Sequence, residues 1–293
     1  TTTYRKFTTT RICPTTETMS NTESVSSAAA RAKNAAPALS DISARVKNEL
    51  LKAIAERIEH IGALIEKANA SDMARAADKP QAFLDRLRFD GQRIRSAADG
   101  LRKLAELPDP VGRVIDDRTL YNGLRLKKTA VPFGAIAVVY EARPNVTVDA
   151  AGLCLKSSNA AVLRGSNDAI ATNRALVGVI GDVLSEFDID RASVTLVECG
   201  HEGVVELLTL DGLIDLAIPR GSAELIRFVR RSATVPVIET GAGNCTAYID
   251  KSADIALAEK VVLNAKTQRL GVCNALEGLV IDRAALDKAL PVL

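Results

Sequence analysis

Between residues 135 and 239, short apolar runs alternate with longer helical patterns, and this alternation constrains the fold more than any other feature of the chain. The apolar runs are Ala135–Tyr140, Ala160–Leu163, Val194–Glu198, Leu213–Ile218 and Val235–Glu239. The helical patterns are Val146–Lys156, Ala169–Glu186, Gly203–Leu210 and Ser222–Arg231. Strands that are apolar on both faces and alternate with helices are typical of a parallel sheet covered by helices. The sequence therefore predicts an α/β fold, a doubly wound Rossmann-type sheet whose ligands bind at the carboxyl ends of its strands.

Helices are predicted on the N-terminal side of this sheet. An apolar stripe from Ile42 to Ile65 predicts one helix, capped by Ser40-Asp41, and a second helix runs from Pro80 to Leu104. Residues 39–253 would together form a cofactor-binding domain. Residues 1–38, rich in Thr, Ser and Ala, are predicted to be a disordered arm. Residues 1–18 are either part of a transit peptide or upstream translated sequence, with Met19 as the natural start.

Two further segments flank the alternating region. Residues 111–130 contain two short alternating runs around Asn122-Gly123, which predicts a β-hairpin. We expect its exposed edges to pair with another subunit in a homo-oligomer. At the other end, residues 254–293 follow a predicted strand, Thr246–Asp250, and read as the start of a second α/β domain that is truncated at its C-terminal side.

Composition argues against several classes of partner. The 38 basic and 36 acidic residues nearly balance, and aromatic residues make up only 3%, so nucleic acid is not an expected partner. No apolar run approaches the ~18 residues of a membrane-spanning helix. The chain has two His and five scattered Cys without a CxxC pair. This predicts no metal site and favours a reducing, cytoplasmic compartment.

Two predicted strands end in turns suited to a phosphorylated cofactor. Arg164-Gly165-Ser166 follows the second strand, where an Arg commonly binds the 2′-phosphate of NADP, whereas an acidic residue would favour NAD. Arg220-Gly221-Ser222 precedes a predicted helix, whose N-terminus suits a pyrophosphate. The alternatives are an ordinary surface Arg at position 164 and simple helix capping by Ser222.

Three polar residues at strand ends are candidates for chemistry. Asn145 either donates its amide to a developing oxyanion or caps the helix that follows. Arg143 could bind an anionic group of the substrate. Glu239, after the last apolar run, is either a general base or a solvated side chain.

Cys273 is the candidate nucleophile. It follows Gly271 and lies near Lys266 and Arg269 in sequence, and cations favour the reactive thiolate. The alternative is a buried structural thiol. Among the other cysteines, Cys154 lies on an apolar helix face and is predicted to be inert, and Cys199 and His201 are predicted to be loop residues and not a metal pair.

Several long motifs occur in order: Tyr-Glu-Ala-Arg-Pro-Asn-Val-Thr-Val-Asp-Ala-Ala from Tyr140, Ile-Pro-Arg-Gly from Ile218, Val-Pro-Val-Ile-Glu-Thr-Gly-Ala-Gly-Asn-Cys from Val235 and Asn-Ala-Lys-Thr-Gln-Arg from Asn264. From about Leu39 onward the chain resembles the gamma-glutamyl phosphate reductases, or glutamate-5-semialdehyde dehydrogenases, of the aldehyde dehydrogenase superfamily. Members of that family continue well past Leu293.

The resemblance implies NADPH-dependent reduction of L-glutamyl 5-phosphate to glutamate 5-semialdehyde and phosphate, the second step of proline biosynthesis. It implies that Cys273 forms a thioester, with Asn145 and the backbone N–H of Cys273 holding the oxyanion. Glu239 matches the general base of hydrolytic aldehyde dehydrogenases, and its role here stays open. Two alternatives remain: an aldehyde dehydrogenase that acylates coenzyme A, and a catalytically inactive nucleotide-binding fragment.

Overall fold

The computed structural model describes residues 23–239, 243–268 and 274–293. They form two compact units. The first comprises the described residues up to Ile218 together with Ser232–Pro236, and the second comprises Pro219–Arg231 and the described residues from Val237 to Leu293.

The first unit opens with five helices: α1 (Val25–Ser40), α2 (Ala44–His60), α3 (Gly62–Arg75), α4 (Gln81–Leu87) and α5 (Gly91–Glu106). The prediction of disorder up to residue 38 is wrong for the residues of α1. Ser24 caps this helix by accepting a hydrogen bond from the Ser27 N–H, and Ala28, Ala32 and Leu39 lie on its buried face. A stripe of alanines allows a helix to pack closely against a sheet, although it lacks the large apolar side chains that reveal an amphipathic helix in a sequence.

Each long helix predicted between residues 39 and 106 is broken once. The first breaks at Ile61, between α2 and α3, and its N-cap is Ser43 and not Ser40-Asp41. The second begins after Pro80 as predicted but stops at Leu87, and Asp90 then caps α5 by accepting a hydrogen bond from the Arg93 N–H at 3.1 Å. A capping side chain therefore marks the second break, whereas α3 begins at the first break without a side-chain cap.

The predicted hairpin is confirmed. Strands β1 (Val114–Thr119) and β2 (Arg125–Thr129) pair antiparallel, and nearly all their residues are exposed. Gly123 lies in the connecting turn with φ +86°, a conformation that favours glycine.

The central sheet contains β3 (Ala135–Tyr140), β4 (Ala160–Arg164), β5 (Val194–Leu196) and β6 (Leu216–Arg220), in the order β5-β4-β3-β6. The pairs β3–β4 and β4–β5 are parallel, and the connections contain α6 (Pro144–Lys156), α7 (Ile170–Glu186) and α8 (His201–Leu208). The chain moves outward from β3 to β5 and then returns to the other side of β3. This reversal is the topological switch of a doubly wound sheet, so the predicted fold is confirmed.

The predicted strand Val235–Glu239 is wrong. The Ala217 N–H donates to the Pro236 carbonyl oxygen at 2.8 Å, but Pro236 has no N–H to donate in return. Regular pairing therefore does not extend along this segment.

The second unit contains most of α9 (Ala223–Ser232), followed by β7 (Thr246–Ile249), α10 (Ile255–Thr267), β8 (Gly278–Ile281) and α11 (Leu286–Ala289). Strands β7 and β8 are parallel, and Ile249, Ala258 and Ala289 form a small core. Across both units, the described helices include none that is long and apolar enough to cross a membrane.

Candidate active site

The turn between β3 and α6 carries Arg143 and Asn145. Pro144 is the first residue of α6, where its fixed φ suits the helix and its missing N–H costs nothing. Arg143 is consequently the N-cap residue, and the interpretation of Asn145 as the N-cap is wrong. Asn145 is exposed in the first helical turn, and its Nδ2 donates to Asp149 Oδ2 at 3.1 Å. An amide carries two N–H groups, so this bond leaves one for another acceptor.

Arg164 is the last residue of β4, and its side chain is half-buried. Its Nη2 donates to the carbonyl oxygen of Cys199, just before α8, at 3.1 Å. Its Nε is buried and has no hydrogen-bond partner within the described ranges. The guanidinium is therefore held by Cys199 at a half-buried position, whereas the alternative was an ordinary surface Arg.

The thiol of Cys199 lies beside Arg164. Burial raises its pKa, and the Arg164 charge opposes this effect without overcoming it. Cys199 therefore remains a thiol at neutral pH, and both its carbonyl oxygen and its side chain are hydrogen-bonded to Arg164.

Gly165 and Ser166 complete the turn between β4 and α7. Gly165 is buried, and a Cβ at this position would clash with Asn173 Nδ2 and lie 2.8 Å from Tyr140 Cε2. The Ser166 hydroxyl accepts a hydrogen bond from the Asp168 N–H at 3.2 Å and donates to Asp168 Oδ2 at 2.7 Å. The hydroxyl of Ser166 therefore caps the short 3₁₀ turn that leads into α7.

In the second unit, Arg220-Gly221-Ser222 leads into α9. Arg220 and Ser222 are exposed, and the Ser222 hydroxyl accepts a hydrogen bond from the Leu225 N–H at 3.3 Å. The capping interpretation of Ser222 is confirmed. The turn is nonetheless a basic helix N-terminus, the kind of structure that binds anions.

Glu239 is also exposed in the second unit. Its Oε1 lies 3.5 Å from Arg230 Nη1 of α9, and both side chains are substantially exposed to solvent. An ion pair this long and exposed contributes little to stability. Glu239 is thus accessible to solvent and lies beside a cation.

Cys273 lies outside the described residues, but the segments on either side of it are held together. Lys266 Nζ donates to the Leu276 carbonyl oxygen at 2.9 Å, and the Leu276 N–H donates to the Ala265 carbonyl oxygen at 3.1 Å. These bonds connect the last turn of α10 to the residues just before β8. The expected contact of Lys266 or Arg269 with the thiol stays a prediction.

The aldehyde dehydrogenase family model matches residues 3–293. The chain belongs to the aldehyde dehydrogenase family. It is 48% identical over 266 residues to the gamma-glutamyl phosphate reductase of Moorella thermoacetica, covering 90% of this chain and 64% of that protein. It is 50% identical over 274 residues to the enzyme of the same name from Kineococcus radiotolerans, covering 92% and 63%.

Among solved structures, the gamma-glutamyl phosphate reductase of Thermotoga maritima superposes with a TM-score of 0.84 at 40% identity, covering 92% of this chain and 66% of that one. The chain spans less than two thirds of the length of the curated relatives above. The aldehyde dehydrogenase fold predicted from the sequence is confirmed by these similarities.

Two further cysteines of this aldehyde dehydrogenase family member, Cys154 and Cys199, can be compared with their predicted roles. Cys154 is 5% exposed, and burial raises its pKa to about 12, so the prediction of an inert core thiol is confirmed. Cys199 does lie in the loop before α8, but the prediction is wrong for His201, which is the first residue of α8. No pattern in the sequence indicates the contact of Cys199 with Arg164. No group of three or more His, Cys, Asp or Glu among the described residues could hold a metal ion.

Proposed function

We propose that the protein is an NADPH-dependent gamma-glutamyl phosphate reductase, which converts L-glutamyl 5-phosphate to glutamate 5-semialdehyde and phosphate in proline biosynthesis. Support comes from relatives of that name near 50% identity. It also comes from the positions of Asn145 and Arg164, which follow neighbouring strands at the carboxyl edge of one parallel sheet.

The observation that carries the cofactor proposal is Arg164. It ends the second strand of the doubly wound sheet, the position from which an Arg contacts a 2′-phosphate. Its guanidinium is oriented by the Cys199 carbonyl. Such a group fits a phosphate, because guanidinium N–H groups bind phosphate oxygens strongly. We assign Gly165, Ser166 and Arg220-Gly221-Ser222 to the cofactor through backbone N–H groups at two helix starts.

In the proposed mechanism, Cys273 attacks the acyl carbon of the substrate as a thiolate. The bond from that carbon to the phosphate oxygen breaks, phosphate leaves with the bonding electrons, and a thioester forms on Cys273. The side-chain amide of Asn145 and the backbone N–H of Cys273 hold the tetrahedral oxyanion. When bound, NADPH would supply the hydride for reduction of the thioester carbon. Cys273 then departs as a thiolate and releases the aldehyde, while Arg143 is assigned to an anionic group of the substrate.

No step in this sequence hydrolyses the thioester, so no water has to be activated. Glu239, which acts as a base only where water attacks, is therefore not assigned a proton transfer in the reduction.

The reverse reaction tests the proposal. Purified protein is mixed with NADP⁺, glutamate 5-semialdehyde and inorganic phosphate, and NADPH formation is followed by absorbance. We expect phosphate-dependent activity that Cys273→Ser abolishes. Activity with coenzyme A in place of phosphate would instead support the coenzyme-A-acylating alternative. Cofactor binding without any turnover, together with an iodoacetamide labelling rate at Cys273 no faster than that of free cysteine, would support a non-catalytic module.

We also propose a cytoplasmic homo-oligomer. The support for self-association is the hairpin of β1 and β2, whose apolar side chains Ile115, Tyr121 and Leu126 are exposed. Sedimentation of wild-type protein and of a variant carrying Leu126→Lys tests this proposal. A monomeric wild-type protein would contradict it.

A further inference from the structure

Three buried polar side chains lie beneath the strand ends that carry Asn145 and Arg164. The Tyr140 hydroxyl lies 2.7 Å from Thr147 Oγ1, and Thr147 Oγ1 donates to Asn173 Oδ1 at 2.8 Å. All three residues are at most 1% exposed. The Thr147 hydroxyl has a single proton, which it donates to Asn173. The Tyr140 hydroxyl therefore donates to Thr147, so the hydrogen bonds run from Tyr140 through Thr147 to Asn173. We call these three residues the strand-end relay.

The strand-end relay joins three elements. Tyr140 is the last residue of β3, Thr147 lies in the first turn of α6 two residues after Asn145, and Asn173 lies in the first turn of α7. The relay therefore connects the turn that carries Asn145 to the helix that follows Arg164-Gly165-Ser166. These positions are distant in sequence, so no local hydrogen bond could fix them relative to one another.

Gly165 packs directly against the relay, and the space between its Cα and the Asn173 amide is too small for any side chain. The start of α7 is also held by Asp72 of α3. This buried carboxylate accepts hydrogen bonds from the backbone N–H of Thr172 at 2.8 Å and of Ala171 at 3.1 Å. Asp72 fixes α7 to the N-terminal helices, whereas the relay fixes it to β3 and α6.

We propose that Tyr140, Thr147 and Asn173 are positioning residues that hold the Asn145 turn and the Arg164 turn in the relation needed for cofactor binding and oxyanion stabilisation. This inference rests on the proposed function. The relay acts through Asn145 and Arg164, because its own buried polar atoms are enclosed by protein. A small misplacement of a binding or catalytic group can lower activity on the order of 10²-fold, so hydrogen bonds that fix such groups have large kinetic effects.

The test replaces Thr147 by Val, which keeps the shape and removes both hydrogen bonds, and by Ser, which keeps the hydroxyl. Thr195→Val is the matched control. Thr195 is also a buried threonine, on β5, and its hydroxyl donates to the Ala192 carbonyl oxygen at 3.0 Å, away from the two turns. NADPH affinity is measured by fluorescence titration, and the melting temperature of each variant is measured alongside. Where the wild-type protein turns over, KM for the cofactor and kcat are also compared.

We expect Thr147→Val to weaken NADPH binding by about tenfold or more, and Thr147→Ser to restore it to within about twofold. Thr195→Val should lower the melting temperature without changing NADPH affinity. If Thr147→Val binds NADPH as the wild type does, or if both Val variants weaken it equally, the inference is overturned. If Thr147→Val fails to fold, Tyr140→Phe replaces it, since this change removes only the first bond; unchanged affinity in Tyr140→Phe would overturn the inference. Absence of NADPH binding by the wild-type protein would instead refute the proposed function.

Discussion

Replacing Gly165 by Ala measures how tightly the turn between β4 and α7 packs over the strand-end relay. The backbone φ of Gly165 is not in the left-handed region, so alanine meets no conformational strain there. The added methyl carbon would lie 2.8 Å from Tyr140 Cε2 and would clash with Asn173 Nδ2. Carbon atoms rest about 3.5–4.0 Å apart, so the overlap with the tyrosine ring alone is roughly 0.7 Å or more.

Neither neighbour can move aside without cost. Tyr140 is 1% exposed at the end of a buried strand, and Asn173 is held by its hydrogen bond from Thr147. Overpacking of this kind costs about 1–3 kcal/mol. Displacing Asn173 would also break a hydrogen bond worth about 0.5–1.5 kcal/mol. We therefore expect Gly165→Ala to destabilise the first unit by roughly 2–4 kcal/mol.

Gly178→Ala is the control. Gly178 lies inside α7, and a Cβ built there meets nothing within 4 Å. Alanine favours the helix over glycine by about 0.5–1 kcal/mol, so this variant should be more stable than the wild type. In a domain of this size about 1 kcal/mol shifts the melting temperature by about 2–4 °C. Circular dichroism melts should therefore move in opposite directions, down by roughly 4–16 °C for Gly165→Ala and up by roughly 1–4 °C for Gly178→Ala.

Equal melting temperatures for Gly165→Ala and the wild type would refute the packing described at this turn. A loss of stability in both glycine variants would show that the substitutions act through something other than the space around each Cα. A stable Gly165→Ala protein that no longer binds NADPH would mean that the glycine serves close approach of the cofactor and not packing on Tyr140 and Asn173.

Three further predictions concern the site and the core. Arg164→Gln should weaken NADPH binding by about 10–100-fold and leave NADH binding nearly unchanged, because a hydrogen bond to a charged group contributes about 1.5–3 kcal/mol; equal effects on both cofactors would contradict a 2′-phosphate contact. Glu239→Gln should change kcat for the phosphate-dependent reaction less than about threefold while Cys273→Ser abolishes it, and a large loss would assign Glu239 a proton transfer. Burial raises the pKa of Cys154 from 9.0 to about 12. The contribution of this neutral buried thiol to the unfolding free energy is therefore fully present below pH 9 and is lost as the pH rises from 9 toward 12. Between pH 9 and pH 10 the wild type should lose about 1 kcal/mol more of its unfolding free energy than Cys154→Ala, and parallel denaturant-derived curves would contradict this.

The parts of the fold that follow from local patterns are predicted well. Strand β3 matches its predicted range residue for residue. A run that is apolar on both faces is best buried in the interior of a sheet covered by helices on both sides. The hairpin follows from Asn122-Gly123. The errors arise where small or special residues decide the structure. The buried face of α1 consists mostly of alanines, and Pro236 has no N–H to donate to a neighbouring strand.

The site divides in the same way. The positions of Asn145 and Arg164 at strand ends follow from the predicted topology, since the carboxyl ends of parallel strands lie along one edge. The contacts that orient them do not. Thr147 and Asn173, or Arg164 and Cys199, meet only after the sheet has formed, and a single sequence contains no signal that pairs them.

These contacts also change the role expected of each predicted cofactor-binding residue. The hydroxyls of Ser166 and Ser222 are both used to cap helical turns, and the Ser166 hydroxyl additionally donates to the carboxylate of Asp168. A hydroxyl oxygen that accepts a hydrogen bond from an N–H of its own helix stabilises the turn, but it supplies no positive charge to attract a phosphate. Under the proposed function, attraction of the β4–α7 turn for a phosphorylated cofactor would therefore depend on the Arg164 guanidinium and on backbone N–H groups. The direction of that guanidinium depends in turn on the Cys199 carbonyl, and the position of the turn depends on Gly165 resting on Tyr140 and Asn173. Selectivity for NADPH would thus be a property of how the sheet edge packs as much as of the arginine itself.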